Sequence, residues 1–458
     1  MKRVTPEAWL QAPGEVLVVG LGKSGTAAAA LLARRGFRVT ATDERDLDPA
    51  DPAVAELASL GVELALGGHP AELAHRPWQF VAKSPGIPYH QPFVAELAKM
   101  SHVIVTDVEI AGWLEQRPIY AITGSNGKTT TTTLVGEMLK ASGMNPIVAG
   151  NIGTPVCDVV TKPGDVLVLE VSSFQLEGTA TFRPHGAALL NFYPAHLDYH
   201  GSYEAYQRAK WKLFANQTPD DVAVLNWDQS LIRDRAGQLA ASVRGFSLEG
   251  APFADGVGVI DGELVFVRAG ERTPLLPVDH VALPGRHNLQ NAAAAAALAL
   301  AAGASEAAVA HVLRTFQGVE HRLEFVREVA GVRYYNDSKA TNPDAARQAL
   351  RSFPGGIVWI AGGLDRGLSF DSLLPDVAGR VHAAVLLGET REKLRDMLAR
   401  AGVSSCAFAS SMDEAVRAAS RMAQPGDVVL LSPACASWDM FPSYEVRGSM
   451  FKEAVHRL

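Results

Sequence analysis

Residues 121–139, AITGSNGKTTTTTLVGEML, constrain the fold more than any other part of the chain. An apolar β-type run enters a loop bounded by Gly124 and Gly127, then leaves it as a helix whose first turn carries Lys128 and Thr129. The glycines let the backbone curl so that several N–H groups face one anion, and the helix N-terminus adds partial positive charge. Lys128 would bring a mobile cation to terminal phosphates, and the Thr129 hydroxyl a ligand for Mg2+. The standard phosphate-loop spacing asks for one more glycine, at the position held here by Ile122. A plain strand-to-helix turn with a surface lysine is the bland alternative. It leaves unexplained why strand, loop, Gly-Lys-Thr and helix arrive in the required order.

The same alternation of β-branched runs, Gly or Asn turns and helical stretches recurs from end to end, which implies α/β architecture throughout. Strands are predicted at 16–19, 38–42, 80–82 and 103–105, and then at 119–123, 166–171, 187–191 and 222–225. A hairpin is predicted at 256–267, GVGVIDGELVFV, turning at Asp261 and Gly262. Helices at 288–302 and 305–316 close this second set, with Asn288 as a candidate cap and Gly303 as a stop. A third set of strands is predicted at 332–336, 357–361, 383–387 and 428–431. A chain of 458 residues accommodates about three domains, and the pattern divides it into 1–106, 107–317 and 318–458.

Composition narrows the function. Lys plus Arg number 42 against 49 Asp plus Glu, a net charge of -7, so no overall field draws in nucleic acid or anionic lipid. Anions must be held by local sites. Cys157, Cys406 and Cys435 are far apart and odd in number, which fits a reducing cytoplasm better than a disulfide framework. The apolar run at 292–303 is mostly Ala and shorter than the roughly 20 residues of a membrane span.

TGSNGKTT is the loop form of the Mur ligases and the related folyl-polyglutamate synthetases. In family order follow LEVSSFQLE at 169–177, HLDYHGSYEAYQRAKWKLF at 196–214, GRHNLQNAAAA at 285–295, EHRLE at 320–324, NDSKATNP at 336–343 and LLSPACASWDMF at 430–441. On these blocks the chain resembles the Mur ligase family over essentially its whole length, and the last two look like its D-glutamate-adding branch. The resemblance implies an N-terminal Rossmann-like domain for a UDP-muramoyl substrate, a central P-loop ATPase-like α/β domain and a C-terminal Rossmann-like α/β domain for the amino acid. It implies an ATP-dependent amide ligase of peptidoglycan precursor synthesis. Such an enzyme joins D-glutamate to UDP-N-acetylmuramoyl-L-alanine through an acyl phosphate and releases ADP and phosphate. The implied cofactors are ATP, two Mg2+ ions (or Mn2+ in their place) and a CO2-derived carbamate on Lys210. The implied partners are the two small-molecule substrates, with no nucleic acid, no membrane and a monomeric enzyme.

Residue roles follow from the same resemblance. Gly124, Ser125, Asn126, Gly127, Lys128, Thr129 and Thr130 would hold the ATP phosphates. Asn288 and Asn291 would line the adenine pocket, although Asn288 could equally be a helix cap. Glu170 closes the apolar run VLVLE, where a buried carboxylate is costly unless paired or metal-bound; the family makes it a Mg2+ ligand beside Thr129. His196 would be the second-metal ligand. Many family members have Asp before this His, where this chain has Ala195. Lys210 would be carbamylated, a reaction that needs the neutral amine and so a lowered pKa. Arg322, after the hinge, with Asp337 and Asp365 at strand ends, would contact the nucleotide as the domains close; Asx turns remain the bland reading of both aspartates. Lys339, Thr341, Ser437, Trp438 and Tyr444 would form the acceptor pocket, since D-glutamate brings two carboxylates and needs a cation with several donors.

Residues 16–36, VLVVGLGKSGTAAAALLARRG, carry GxGxxG at Gly20, Gly22 and Gly25, with Asp43 after the next strand. Alone this motif would suggest a dinucleotide-dependent oxidoreductase. That reading leaves the Lys128 loop unexplained, just as a non-catalytic nucleotide-binding regulator leaves the acceptor blocks unexplained. The resemblance assigns Gly22, Lys23 and Ser24 to the donor diphosphate, Asp43, Glu44 and Arg45 to the uridine end, and Ser84 in SPGIP to the same site. Asn151 and Ser172 would contact the muramoyl arm or acyl phosphate, with turn capping as their alternative.

Overall fold

The apolar runs EVLVV, VLVLE and IVWIAG become central strands of three sheets in the computed structural model, which describes residues 6–458. Buried on both faces, such strands read as continuous hydrophobic stretches. In the first sheet β1 (Glu15–Val19), β2 (Arg38–Asp43), β3 (Glu63–Leu66), β4 (Phe80–Lys83) and β5 (Ile104–Val105) run parallel in the order β3-β2-β1-β4-β5.

The second sheet contains β6 (Ile119–Thr123), β7 (Pro146–Gly150), β8 (Val166–Glu170), β9 (Gly186–Leu189), β10 (Val222–Asn226), β11 (Ser242–Ser247), β12 (Gly256–Ile260), β13 (Glu263–Arg268) and β14 (Glu271–Pro277). Its order is β14-β13-β12-β11-β10-β9-β6-β8-β7. The predicted hairpin is β12 and β13, antiparallel, with Asp261 at φ 51° and Gly262 at φ 80° in its turn. The third sheet is β15 (Glu324–Val329), β16 (Val332–Asn336), β17 (Ile357–Gly362), β18 (Val381–Leu387), β19 (Ser405–Phe408) and β20 (Val428–Leu431), ordered β15-β16-β20-β17-β18-β19. Only β15 is antiparallel to its neighbour.

By packing, the chain divides into one unit running to His280 with Gln290–Arg314, and another of Val281–Leu289 with Thr315–Leu458. The first unit contains two sheets joined by one continuous core. Phe80 of β4 lies 5.1 Å from Trp9, 5.7 Å from Phe37 and 5.1 Å from Trp113, ring centre to ring centre. The helix Lys23–Arg34 packs its Ala27–Leu32 face against this core and against Val156–Asp158 of the second sheet's layer. In the second unit the helices Pro343–Arg351 and Arg391–Arg400 cover one face of the sheet, and Met412–Met422 and Tyr444–His456 the other. No helix among the described residues is long and apolar enough to cross a membrane.

The helix predicted from Asn288 begins two residues earlier, at Arg286, so Asn288 is not its cap. The Asn288 side chain donates instead to Pro284 O at 2.8 Å. Gly303 ends the helix as expected, at φ 95° with Ala304 N–H on Ala299 O.

Phe80→Ala should expose how far the first unit depends on its shared core. Removing a fully buried ring costs about 3–5 kcal/mol, and calorimetry should show a matching fall in the Tm of that unit.

Candidate functional site

Many of the candidate side chains lie at the carboxyl ends of the parallel strands, the edge where open α/β sheets bind ligands. The register of the second sheet sets Ile122 of β6 and Gly150 of β7 beside Glu170 of β8. Gly127, at φ 84°, caps the helix Lys128–Ala141. A Cβ at Gly127 would strike the Asn291 amide; glycine is thus required by backbone and by packing, and Asn291 is set directly against the loop. Asn126 N–H donates to Asn191 Oδ1 at 2.9 Å, and the Ser125 hydroxyl meets Tyr206 Oη at 2.7 Å.

Lys128 curls back on the loop, donating to Gly124 O at 2.8 Å and Ser125 O at 3.0 Å. The buried Glu170 accepts from Thr129 Oγ1 and from Asn151 Nδ2, both at 2.7 Å. Lys210 is 1% exposed, and its ammonium donates to Gly124 O at 2.9 Å and Thr123 Oγ1 at 3.1 Å. Burial, and then the charge of Lys128, push its pKa well below the usual lysine range against the pull of Glu170. Thr130 is buried in the same helix turn. Ser172 caps the helix Ser173–Glu177 in a reciprocal arrangement with Gln175.

His196 lies on the loop after β9, its ring 6.4 Å from that of Tyr206. It adopts a left-handed backbone, φ 55°, and its ring packs 4.8 Å from Phe174. Ala195, the residue before it, packs against the core. Among the described residues, no three His, Cys, Asp or Glu side chains are arranged to hold a metal ion.

At the first sheet, Asp43 accepts from Leu21 N–H at 2.6 Å and from Arg45 Nε at 2.9 Å. Burial alone would raise its pKa; the hydrogen bonds of Arg45 and Leu21 outweigh that and hold it at about 2. Gly25 is required by packing, since a Cβ there would collide with Gly20 O. Gly22 stands at the N-terminus of the helix Lys23–Arg34 with Lys23 and Glu44 exposed, whereas Ser24 turns its hydroxyl to the buried Asp107. Ser84 follows β4, its N–H on Val19 O.

In the second unit, Asp337 follows β16 and accepts from Ser432 Oγ at 2.8 Å and Leu323 N–H at 3.2 Å. The charge of Arg322 acts on it as well. Lys339 lies over the Tyr444 ring at 5.8 Å, and Thr341 N–H bonds Lys339 O. Ser437 is buried and Trp438 is 65% exposed. Asp365 forms an Asx turn with Gly367 N–H at 2.9 Å and pairs with Lys393, which lowers its pKa; the bland reading describes its contacts here. A backbone bond from Leu364 N–H to Ala436 O nonetheless ties its loop to the Ser437 segment.

Three family models match the chain in order: the Mur ligase MurD-like N-terminal domain over residues 14–106, the Mur ligase middle domain over 122–299 and the Mur ligase glutamate ligase domain over 321–435. The UDP-N-acetylmuramoylalanine--D-glutamate ligase of Geobacillus kaustophilus is 46% identical over 451 residues, 97% of each chain. The chain belongs to the Mur ligase family. The protein of the same name from Latilactobacillus sakei is also 46% identical, over 448 residues and 97% of each chain. Among solved structures, the UDP-N-acetylmuramate-alanine ligase of Thermotoga maritima shares the fold, with a TM-score of 0.58 at 21% identity over 97% of this chain and 99% of its own.

Several residues that build the site in this Mur ligase escaped the sequence reading. Lys83 is 2% exposed, and its ammonium donates to Ser84 O (3.1 Å), Pro85 O (3.4 Å), Ile87 O (2.5 Å) and Tyr199 Oη (3.2 Å). It shapes the SPGIP loop and joins it to the segment after His196. Burial lowers its pKa to about 8 against the charges of Asp107 and Glu177. The signal was available: Lys83 closes the apolar run FVA as Glu170 closes VLVL. Asp107, Asn191 and Tyr206 carry no comparable local pattern.

Burial raises the Asp337 carboxyl to about 7, with the Ser432 hydroxyl, Arg322 and Leu323 N–H holding it from going higher. Its folded pKa thus exceeds the unfolded value of about 3.9. The folded state binds the proton more tightly, so this group's stabilisation is full below about pH 4 and lost as pH rises through about 7. Asp337→Asn mimics the protonated form. Its stability relative to wild type should rise by a few kcal/mol between about pH 5 and pH 8, at about 1.4 kcal/mol per pKa unit. Calorimetry at both pH values checks this, and a pH-independent difference would refute it.

Proposed function

We propose that this Mur ligase joins D-glutamate to UDP-N-acetylmuramoyl-L-alanine with ATP as the energy source, passing through an acyl phosphate. The observation that carries the reading is the phosphate loop itself. Lys128, Thr129, the buried Glu170 and a desolvated Lys210 converge at Gly124, and phosphoryl transfer depends chiefly on positioning and charge neutralisation. The acceptor assignment is supported by relatives of 42–46% identity bearing the D-glutamate ligase name and by Lys339 beside Tyr444. In this reading residues 1–106 hold the donor, 107–317 the nucleotide and 318–458 the acceptor. The enzyme works as a monomer in the cytoplasm, in keeping with its free cysteines.

Loop N–H groups and Lys128 hold the ATP phosphates, and Asn291 borders the adenine side with Asn288. Arg322 and Asp337 are further nucleotide contacts in this reading. The Thr129 hydroxyl and Glu170 carboxylate, which already meet, form the hard oxygen set that Mg2+ takes alongside phosphates and water; bound there, the ion neutralises phosphate charge. Asn151 fixes the second Glu170 oxygen and so orients the first. His196 and a carbamylated Lys210 would hold a second ion. The Lys210 environment suits that modification, because desolvation favours the neutral amine that CO2 requires. Asp43, Arg45 and the Gly22–Lys23 helix start receive the uridine diphosphate. Lys339, Thr341, Ser437 and Tyr444 receive the two carboxylates of D-glutamate, with Trp438 at the rim.

Phosphate release with ATP, Mg2+ and UDP-N-acetylmuramoyl-L-alanine should require D-glutamate and fail with L-lysine, diaminopimelate or D-alanyl-D-alanine. Turnover with one of those acceptors instead would overturn the assignment. Lys128→Ala should lower kcat at least about 100-fold with the circular dichroism spectrum unchanged. Enzyme equilibrated with 13C-bicarbonate should give a carbamate resonance that Lys210→Ala lacks; its absence from the substrate-bound wild type would remove the carbamate from the mechanism.

A further inference from the structure

Arg447 is the largest charged side chain buried in the second unit. It is 1% exposed and lies in the first turn of the helix Tyr444–His456. Its Nε donates to Ser338 Oγ at 3.0 Å, Nη2 to Ser338 O at 2.8 Å and Nη1 to Cys435 O at 3.1 Å. The Ser338 hydroxyl passes the connection on, donating to Tyr444 O at 2.8 Å. Burial lowers the Arg447 pKa only to about 10, so the guanidinium remains charged at neutral pH.

These partners are not scattered. Ser338 immediately precedes Lys339 and lies three residues before Thr341. Cys435 lies two residues before Ser437, and Tyr444 opens the helix that carries Arg447. One planar fork therefore ties together three chain segments, each contributing a residue to the acceptor pocket. A guanidinium holds its donors in one rigid plane, so it fixes the relative directions of two carbonyls and a hydroxyl more firmly than a flexible ammonium does. A buried charge is costly to maintain, and a well-packed apolar side chain would fill the same space without fixing the three segments. Next to it, Gly448 lets the helix approach His321 so closely that a Cβ would collide with the ring, which seats Arg447 at this depth.

We propose that Arg447 is a positioning residue for the amino-acid acceptor: it sets the spacing between Lys339, Ser437 and Tyr444 without touching the substrate. The inference rests on the assignment of those residues to the acceptor pocket. Removing the fork should loosen recognition of D-glutamate and leave the other two substrates unaffected.

Steady-state kinetics with each substrate varied in turn test this in Arg447→Met, Arg447→Lys and Ser338→Ala, with Lys339→Ala alongside. Arg447→Met should raise the KM for D-glutamate about tenfold or more, since the loss of one charge-assisted bond is worth that much. Arg447→Lys should fall between Arg447→Met and wild type, and Ser338→Ala should show a rise of a few-fold, with the KM values for ATP and the muramoyl substrate within about twofold of wild type throughout. A general loosening of the fold would instead move all three KM values together, and that result overturns the proposal. So does an unchanged D-glutamate KM in the folded Arg447 variants; if those fail to fold, an unchanged value in Ser338→Ala decides against it. Lys339→Ala separates the two levels of the argument. An unchanged D-glutamate KM there overturns the pocket assignment together with the clamp, whereas a raised one beside unaffected Arg447 variants overturns the clamp alone.

Discussion

The Glu170 carboxylate, buried at the end of β8 and held by Thr129 and Asn151, is the interaction on which the loop at 124–129 depends. A carboxylate removed from water costs several kcal/mol unless hydrogen bonds replace its hydration. Here both partners are fixed by strand register: β6 delivers the phosphate loop and Thr129 on one side, and β7 delivers Asn151 on the other. A shift of either strand would strand the charge, so the cost of burying it locks the loop in place. The loop in turn presents Gly124 O to both Lys128 and Lys210, bringing the Lys128 charge close enough to disfavour that of Lys210.

The same construction, an acid at a strand's carboxyl end met by donors from a neighbouring strand's loop, recurs in the other sheets with different electrostatic results. Asp43 at the end of β2 meets Leu21 after β1 and the guanidinium of Arg45, and its pKa falls to about 2. Asp337 after β16 meets Ser432 after β20, and its pKa rises to about 7. The difference follows from the partners. At Asp43 a directly bonded guanidinium with two backbone amides outweighs desolvation, whereas at Asp337 a hydroxyl, an amide and the charges of Arg322 and Arg447 do not.

Much of this was legible in the sequence, and what was missed has a physical pattern. Central strands such as VLVLE and IVWIAG are buried on both faces and announce themselves as apolar runs. Of the strands not anticipated, β3, β7, β14, β15 and β19 lie at sheet edges, where one side has no neighbour and the residues need be only half apolar: ELAL, PIVAG, ERTPLLP, EFVREV and SCAF. β11 is internal, but Gly245 interrupts its hydrophobic run and receives Phe253 in the space of the missing side chain. The phosphate loop was readable because its chemistry is local, contained in consecutive residues. Asn191 meets Asn126, Arg447 meets Ser338 and Lys83 meets Tyr199 across 65, 109 and 116 residues, and a sequence shows such residues without their partners.

The long-range residues also explain how a chain of net charge -7 serves anionic ligands. Several of its surface cations pair with nearby acids, as Arg34 does with Glu56 and Arg395 with Glu392. Its buried cations are satisfied differently. The Lys83 ammonium lies within hydrogen-bonding reach of three carbonyls and a tyrosine hydroxyl, and the Arg447 guanidinium donates to two carbonyls and a serine hydroxyl. Neutral oxygens meet the hydrogen-bonding requirement without cancelling the charge, so positive potential persists at the strand ends. In the low-dielectric surroundings of these clefts that potential is screened far less than at the surface. Local placement, with carbonyls where carboxylates would have neutralised the charge, thus achieves what the overall composition cannot.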